Sequence, residues 1–220
     1  MTFSIYRVRL SILALIIACI AVLSFPVRAG AAIKVQTPSG KFLKYPNPKP
    51  LIKNHPVNDQ DVHETIKNVI TDYRTGLTEE KKDKIAKHIR KQSKKYGYDP
   101  LFLTALIITE SSFNHRAKSK VGALGLMQIR PRTGKALASE TNLHWKGKRT
   151  LYHPEHNVAL GSYYLNKLIK RFGNLKTALE AYNHGPTRIA RYLRKGKHPK
   201  KYSGKVFAVY HQIRLAKANS

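Results

Sequence analysis

Only four carboxylates follow position 100 in this chain of 220 residues: Glu110, Glu140, Glu155 and Glu180. Glu110 stands apart because it follows directly on the apolar run Leu101-Phe102-Leu103-Thr104-Ala105-Leu106-Ile107-Ile108-Thr109. A stretch that is apolar nearly all round reads as a buried helix. The C-terminus of such a helix disfavours negative charge by roughly 0.3–1 kcal/mol, and apolar surroundings raise a carboxyl pKa further. A carboxyl held protonated near neutral pH can serve as a general acid. The competing reading is a solvated glutamate at a fraying helix end. Glu140 and Glu155 read as helix-surface charges. Glu180 reads as a solvated helix residue, with a second carboxylate near a cleft as its alternative.

Two later segments add groups that could hold a ligand. Ser119-Lys120-Val121-Gly122-Ala123-Leu124-Gly125-Leu126-Met127-Gln128-Ile129 combines glycines, which permit close approach of backbone to a ligand, with the donor and acceptor of the Gln128 amide. Ala181-Tyr182-Asn183-His184-Gly185-Pro186 sets a phenol and an amide at a helix end. Such groups suit a sugar, with its hydroxyls, acetamides and apolar ring faces. Taken singly, glycine turns and a terminal asparagine are equally well structural. His153-Pro154-Glu155-His156 lacks a third ligand at a recognised spacing. Pro154 accounts for that segment as a helix entry, and no metal or cofactor is expected.

These groups must be positioned by helices. Val62, Ile66, Val69, Ile70 and Tyr73 recur at helical spacing. Thr78 caps a second helix that has Glu79 and Glu80 in its first turn and stops near Gly97. Asp99-Pro100 opens the buried helix. Pro131, Pro154 and Pro186 open further helices, Asn174 caps another, and Gly173 and Gly185 are stops. Val158, Leu165, Leu168, Ile169 and Phe172 line one face. Val206, Tyr210 and Ile213 mark a last helix. No strand pattern stands out, and the body from residue 59 to 220 is expected to be all-α.

The N-terminal part differs. Arg7 and Arg9 precede an apolar run from Leu10 to Phe25, followed by Pro26 and Val27-Arg28-Ala29-Gly30-Ala31. That order matches a secretory signal peptide over residues 1–29, and the run is shorter than the ~20 residues that span a bilayer. A retained anchor and lipidation at Cys19 are the alternatives to cleavage. Residues 30–58, with Pro38, Pro46, Pro48, Pro50 and Pro56 among lysines, read as an extended linker or as a coil along the domain surface. The single cysteine excludes an internal disulfide framework and a cysteine-based zinc cage.

Charge points to the partner. Forty-one Lys+Arg against 12 Asp+Glu give +29, and loss of Arg7, Arg9 and Arg28 with the signal would take this to +26. Such a balance implies an anionic partner: nucleic acid, a membrane surface or an acidic polymer. An exported protein rarely meets nucleic acid, which disfavours that partner.

Glu110-Ser111, Gly125-Leu126-Met127-Gln128 and Ala181-Tyr182-Asn183 resemble, in order, the three motifs of bacterial lytic transglycosylases of the soluble-transglycosylase type. Asn157-Val158-Ala159-Leu160-Gly161 through Tyr164-Leu165 resembles the stretch between the second and third. The resemblance covers about residues 95–195. It implies a lysozyme-like helical domain and an exported, periplasmic enzyme, expected to be monomeric. It also implies cleavage of the β-1,4 bond between N-acetylmuramic acid and N-acetylglucosamine in peptidoglycan, leaving a 1,6-anhydro-muramoyl end. By the same resemblance Glu110 is the catalytic acid and base, and Ser119, Met127, Gln128, Tyr182 and Asn183 bind substrate. His115, Arg130, Glu180 and His184 depart from the family pattern. Two rivals remain: a muramidase hydrolase on the same fold, and a non-catalytic cationic module that binds cell wall or nucleic acid.

Overall fold

The computed structural model describes residues 33–36, 42–45, 59–73 and 75–218. The expected signal peptide, its cleavage point and Cys19 lie outside these residues. The chain divides into two units, residues 1–49 and 50–220.

The described part of the first unit is a pair of short strands within the segment read as an extended linker. β1 (Ile33–Gln36) pairs antiparallel with β2 (Phe42–Tyr45), in a register that sets Ile33 opposite Tyr45 and Gln36 opposite Phe42. Ile33, Val35, Phe42 and Tyr45 are types that favour strands, and Ser39-Gly40 between them is a turn signal. The proline count of the surrounding segment hides this short pattern.

The second unit is helical. Its helices are α1 (Asp59–Asp72), α2 (Glu79–Tyr96), α3 (Pro100–Ser111), α4 (Pro131–Glu140), α5 (Pro154–Phe172), α6 (Leu175–His184), α7 (Pro186–Arg194) and α8 (Lys201–Ala218). A 3-10 turn over Gly147–Tyr152 precedes α5. Local chemistry sets the boundaries as expected. The Thr78 side chain accepts from Lys81 N, and Gly97 ends α2 in the left-handed conformation. Asp99 Oδ1 accepts from Leu101 N at 2.8 Å, and Asn174 Oδ1 accepts from Thr177 N at 3.1 Å. Pro131, Pro154 and Pro186 each stand at a first helical position, where the missing N–H costs nothing.

Burial explains the arrangement. Every residue of α3 from Leu101 to Ile108 is buried, so α3 is the central rod of the domain. It packs chiefly on α8 and also contacts α2 and α1. Val206, Tyr210 and Ile213 are the buried face of α8. At 1.5–3 kcal/mol for each large apolar side chain, roughly, this packing is the main force holding α3 in place. The α3–α8 pair is also joined at its far end, where Tyr210 Oη donates to Asp99 Oδ2 at 2.6 Å. α5 packs between α2 and α6.

Candidate active site

Glu110 is the penultimate residue of α3. Beyond it the chain turns sharply, with Ser112 at φ 49° and Phe113 at φ 60°. Two consecutive non-glycine residues in the left-handed region are uncommon. They are held there by burial of the Phe113 ring and by the Ser112 N–H, which donates to Ile108 O at 2.9 Å. The turn leaves the Glu110 side chain at the end of an apolar rod. Desolvation pushes its carboxyl pKa up to about 7. One bond works against this: the Tyr202 phenol donates to Glu110 Oε1, favouring the ionised form. No other carboxylate contributes to the shift.

Tyr202 was missed in the sequence. It lies 92 residues from Glu110, in the first turn of α8, and is almost fully buried. Its local signal is its spacing: it stands four residues before Val206 and eight before Tyr210, on the buried face of α8. Burial, and then the Glu110 charge, raise its phenol pKa far above the ordinary value, so it stays a donor.

The loop from residue 114 to 130 carries the second motif. Ser111 Oγ donates to Leu126 O at 2.8 Å, which ties this loop to the end of α3. Asn157, completely buried on α5, anchors the same loop: its Oδ1 accepts from Met127 N at 2.7 Å, and its Nδ2 donates to Leu124 O and Leu151 O at 2.9 and 2.8 Å. Gly125 lies against this amide at φ 76°, and a Cβ there would sit 2.1 Å from Leu151 O and 2.3 Å from Asn157 Nδ2. Asn157→Ala takes this partner from Met127 N and Leu151 O and leaves Leu124 O with the Ile129 N–H alone. It is expected to cost about 3 kcal/mol or more, measured by urea denaturation.

The expected substrate-binding residues fall into distinct settings. Tyr182, at the end of α6, donates through its Oη to Met127 O at 2.8 Å. Burial lifts its pKa well above 10.0, with the Glu110 charge adding to the effect, so it belongs to the Glu110 neighbourhood. The Met127 side chain is in the core, against the Cα of Gly161. Its backbone is the part joined to Tyr182. Gln128, at φ 47°, donates through Nε2 to Gly125 O at 2.9 Å and stabilises the loop itself. Ser119 Oγ accepts from Ala123 N at 3.0 Å within the same loop. Asn183 is exposed.

Glu180 is corrected: it is not solvated but completely buried. Its Oε1 accepts from Ser203 N at 2.7 Å and Ser203 Oγ at 2.9 Å. It is therefore committed to α8 rather than free as a second carboxylate. Glu140 is a surface residue paired with Lys167 at 2.6 Å. His153 and His156 meet ring to ring at the entry to α5, and among the described residues no group of three His, Cys, Asp or Glu is arranged to hold a metal. Bordering the second-motif loop, Lys118, Arg130, Arg132 and Lys148 line a cavity of about 440 Å³ that contains no acidic side chain.

An all-helical domain with a half-buried carboxyl at the end of its central helix is the arrangement expected of a lysozyme-like lytic transglycosylase. Residues 87–204 match the family described as the Transglycosylase SLT domain, and the chain belongs to that family. It is 40% identical over 114 residues to a transglycosylase of Enterobacteria phage PRD1, covering 52% of this chain and 38% of that protein. It is 32% identical to the membrane-bound lytic murein transglycosylase E of Buchnera aphidicola, covering 61% and 55%. Among solved structures it resembles an inactive mutant of lytic transglycosylase Slt from Pseudomonas aeruginosa (TM-score 0.53, 26% identity, 58% of this chain and 23% of that one). The 70 kDa soluble lytic transglycosylase of Escherichia coli shares the fold (TM-score 0.56, 22% identity, 70% and 29%). The chain spans well under half the length of several of these relatives.

Proposed function

We propose that this protein is a lytic transglycosylase that cleaves peptidoglycan glycan strands between N-acetylmuramic acid and N-acetylglucosamine, with Glu110 as the sole acid and base. The observation that carries this reading is the setting of Glu110, a desolvated carboxyl poised near neutral pH and held by the Tyr202 phenol. The names of the relatives support the same chemistry.

In the first step the Glu110 proton passes to the bridging oxygen as the C1–O bond breaks. The muramoyl acetamide oxygen bonds to C1, as in substrate-assisted glycosidases. In the second step Glu110, now ionised, takes the proton of the muramoyl C6 hydroxyl, whose oxygen displaces the acetamide at C1. The hydroxyl is tethered within the substrate, so its effective concentration is high. No water is added, and Glu110 ends protonated, ready for another cycle. One carboxyl suffices, in keeping with the commitment of Glu180 to Ser203.

Mass spectrometry of the soluble products tests the reaction. Anhydro ends are expected, whereas a product heavier by one water would identify a hydrolase on the same fold. The cationic cavity beside the second-motif loop fits an anionic polymer, and binding to purified peptidoglycan is expected to weaken as salt rises. Export to the periplasm rests on the N-terminal sequence. Among the described residues no helix is long and apolar enough to cross a membrane.

A further inference from the structure

Glu180 is a carboxylate removed from water in the middle of α6, and a buried charge needs partners. Those of its Oε1 are the N–H and Oγ of Ser203, at 2.7 and 2.9 Å. Ser203 lies in the first turn of α8, where backbone N–H groups lack intrahelical acceptors and negative charge is favoured. Oε2 has no hydrogen-bond partner among the described residues, and His184 Nε2, one turn further along α6, stands 3.6 Å from it. The residue immediately before Ser203 is Tyr202, whose phenol holds Glu110. Glu180 and Glu110 thus grip adjacent residues of one helical turn.

We infer that Glu180 is a positioning residue: its carboxylate fixes the first turn of α8 through Ser203, and so sets the Tyr202 phenol against the Glu110 carboxyl. The groups around it are Ser203 and Tyr202 from α8 and His184 from α6. Its negative charge also adds to those that keep the Tyr202 proton in place, preserving the phenol as donor. A purely structural role predicts something different. Buried charges replaced by apolar side chains of similar volume often leave stability unchanged or improved, so Glu180→Leu separates packing from positioning.

The inference rests on the reaction proposed for Glu110, so it is read in two ways on the full chain. One is the kinetics of muropeptide release. The other is the Glu110 titration, followed by carboxyl carbon NMR, which needs no turnover. Glu180→Leu is expected to lower kcat about 10- to 100-fold, the scale of an active-site misplacement of ~1 Å, with KM little changed. The Glu110 titration is expected to move upward, because the phenol bond that holds it down is weakened. Glu180→Gln keeps an oxygen for Ser203 and is expected to recover most of both. Wild-type kcat and wild-type Glu110 titration in Glu180→Leu overturn the inference, as does a glutamine variant no better than the leucine variant. Should Glu180→Leu fail to fold, Ser203→Ala removes one of the two donors and is expected to shift the titration upward by less. No shift there overturns the inference. A wild-type protein that releases no muropeptides, but whose Glu110 titration still responds to position 180, rejects the proposed reaction and supports the positioning role.

Discussion

Glu110→Gln is expected to abolish muropeptide release while leaving binding to purified peptidoglycan intact. The amide keeps an oxygen that can accept the Tyr202 phenol, so the fold around the site is preserved. It has no proton to give the bridging oxygen and no basicity to take one from the C6 hydroxyl. Positioned proton transfer typically contributes ~100- to 10,000-fold in rate, and here one group serves both transfers, so a loss toward the upper end follows. Release assays with co-sedimentation as the binding control measure it, and wild-type-like release by the variant would refute the assignment of Glu110. The same carboxyl sets a pH limit. The first step needs the protonated form, so kcat/KM is expected to fall as pH rises through about 7, where the Glu110 carboxyl ionises.

What the sequence conveys about this site is mostly what is local. Asp99-Pro100, Thr78, Gly97, Gly173 and Asn174 announce helix ends because capping depends on neighbours a few residues away. Glu110 stands out because the apolar run before it is contiguous, so its desolvation can be inferred without knowing the packing. Tyr202 and Glu180 were not legible for the opposite reason. The bond from Tyr202 to Glu110 spans 92 residues and those from Ser203 to Glu180 span 23, so only the docking of α8 on α3 and α6 creates them. Glu180 in sequence is a polar residue amid a helix whose other face is apolar, and solvent exposure is the ordinary outcome for such a residue. Asn157 is intermediate: its stretch carries a family resemblance, but its anchoring of Leu124, Met127 and Leu151 follows only from the fold of the loop. Met127 and Gln128 show a related limit. Their place in a motif says they are near the site, while the structure commits the first to the core and the second to its own loop.

The elevated pKa that suits Glu110 to catalysis should also make it a liability for folding. Burial raises its folded-state value to about 7 from 4.5, so the folded protein binds this proton more tightly than the unfolded chain does. Below about pH 4.5 both states hold the proton and the group has no effect on stability. As pH rises through the interval up to about 7, the unfolded chain ionises first, and the folded state is penalised progressively. Above about 7 the penalty is complete and is on the order of 3 kcal/mol. Glu110→Gln removes the titration while retaining the side-chain shape. The variant is therefore expected to be more stable than the wild type at pH 8 by about that amount, with the gain shrinking steadily toward zero at pH 4. Urea denaturation of both proteins across this range measures the difference directly. A stability gap that does not vary with pH would mean that Glu110 is as well solvated in the fold as in the unfolded chain. That result would remove the physical basis for its role as the acid, because the same desolvation that strains the fold is what keeps the proton available at neutral pH.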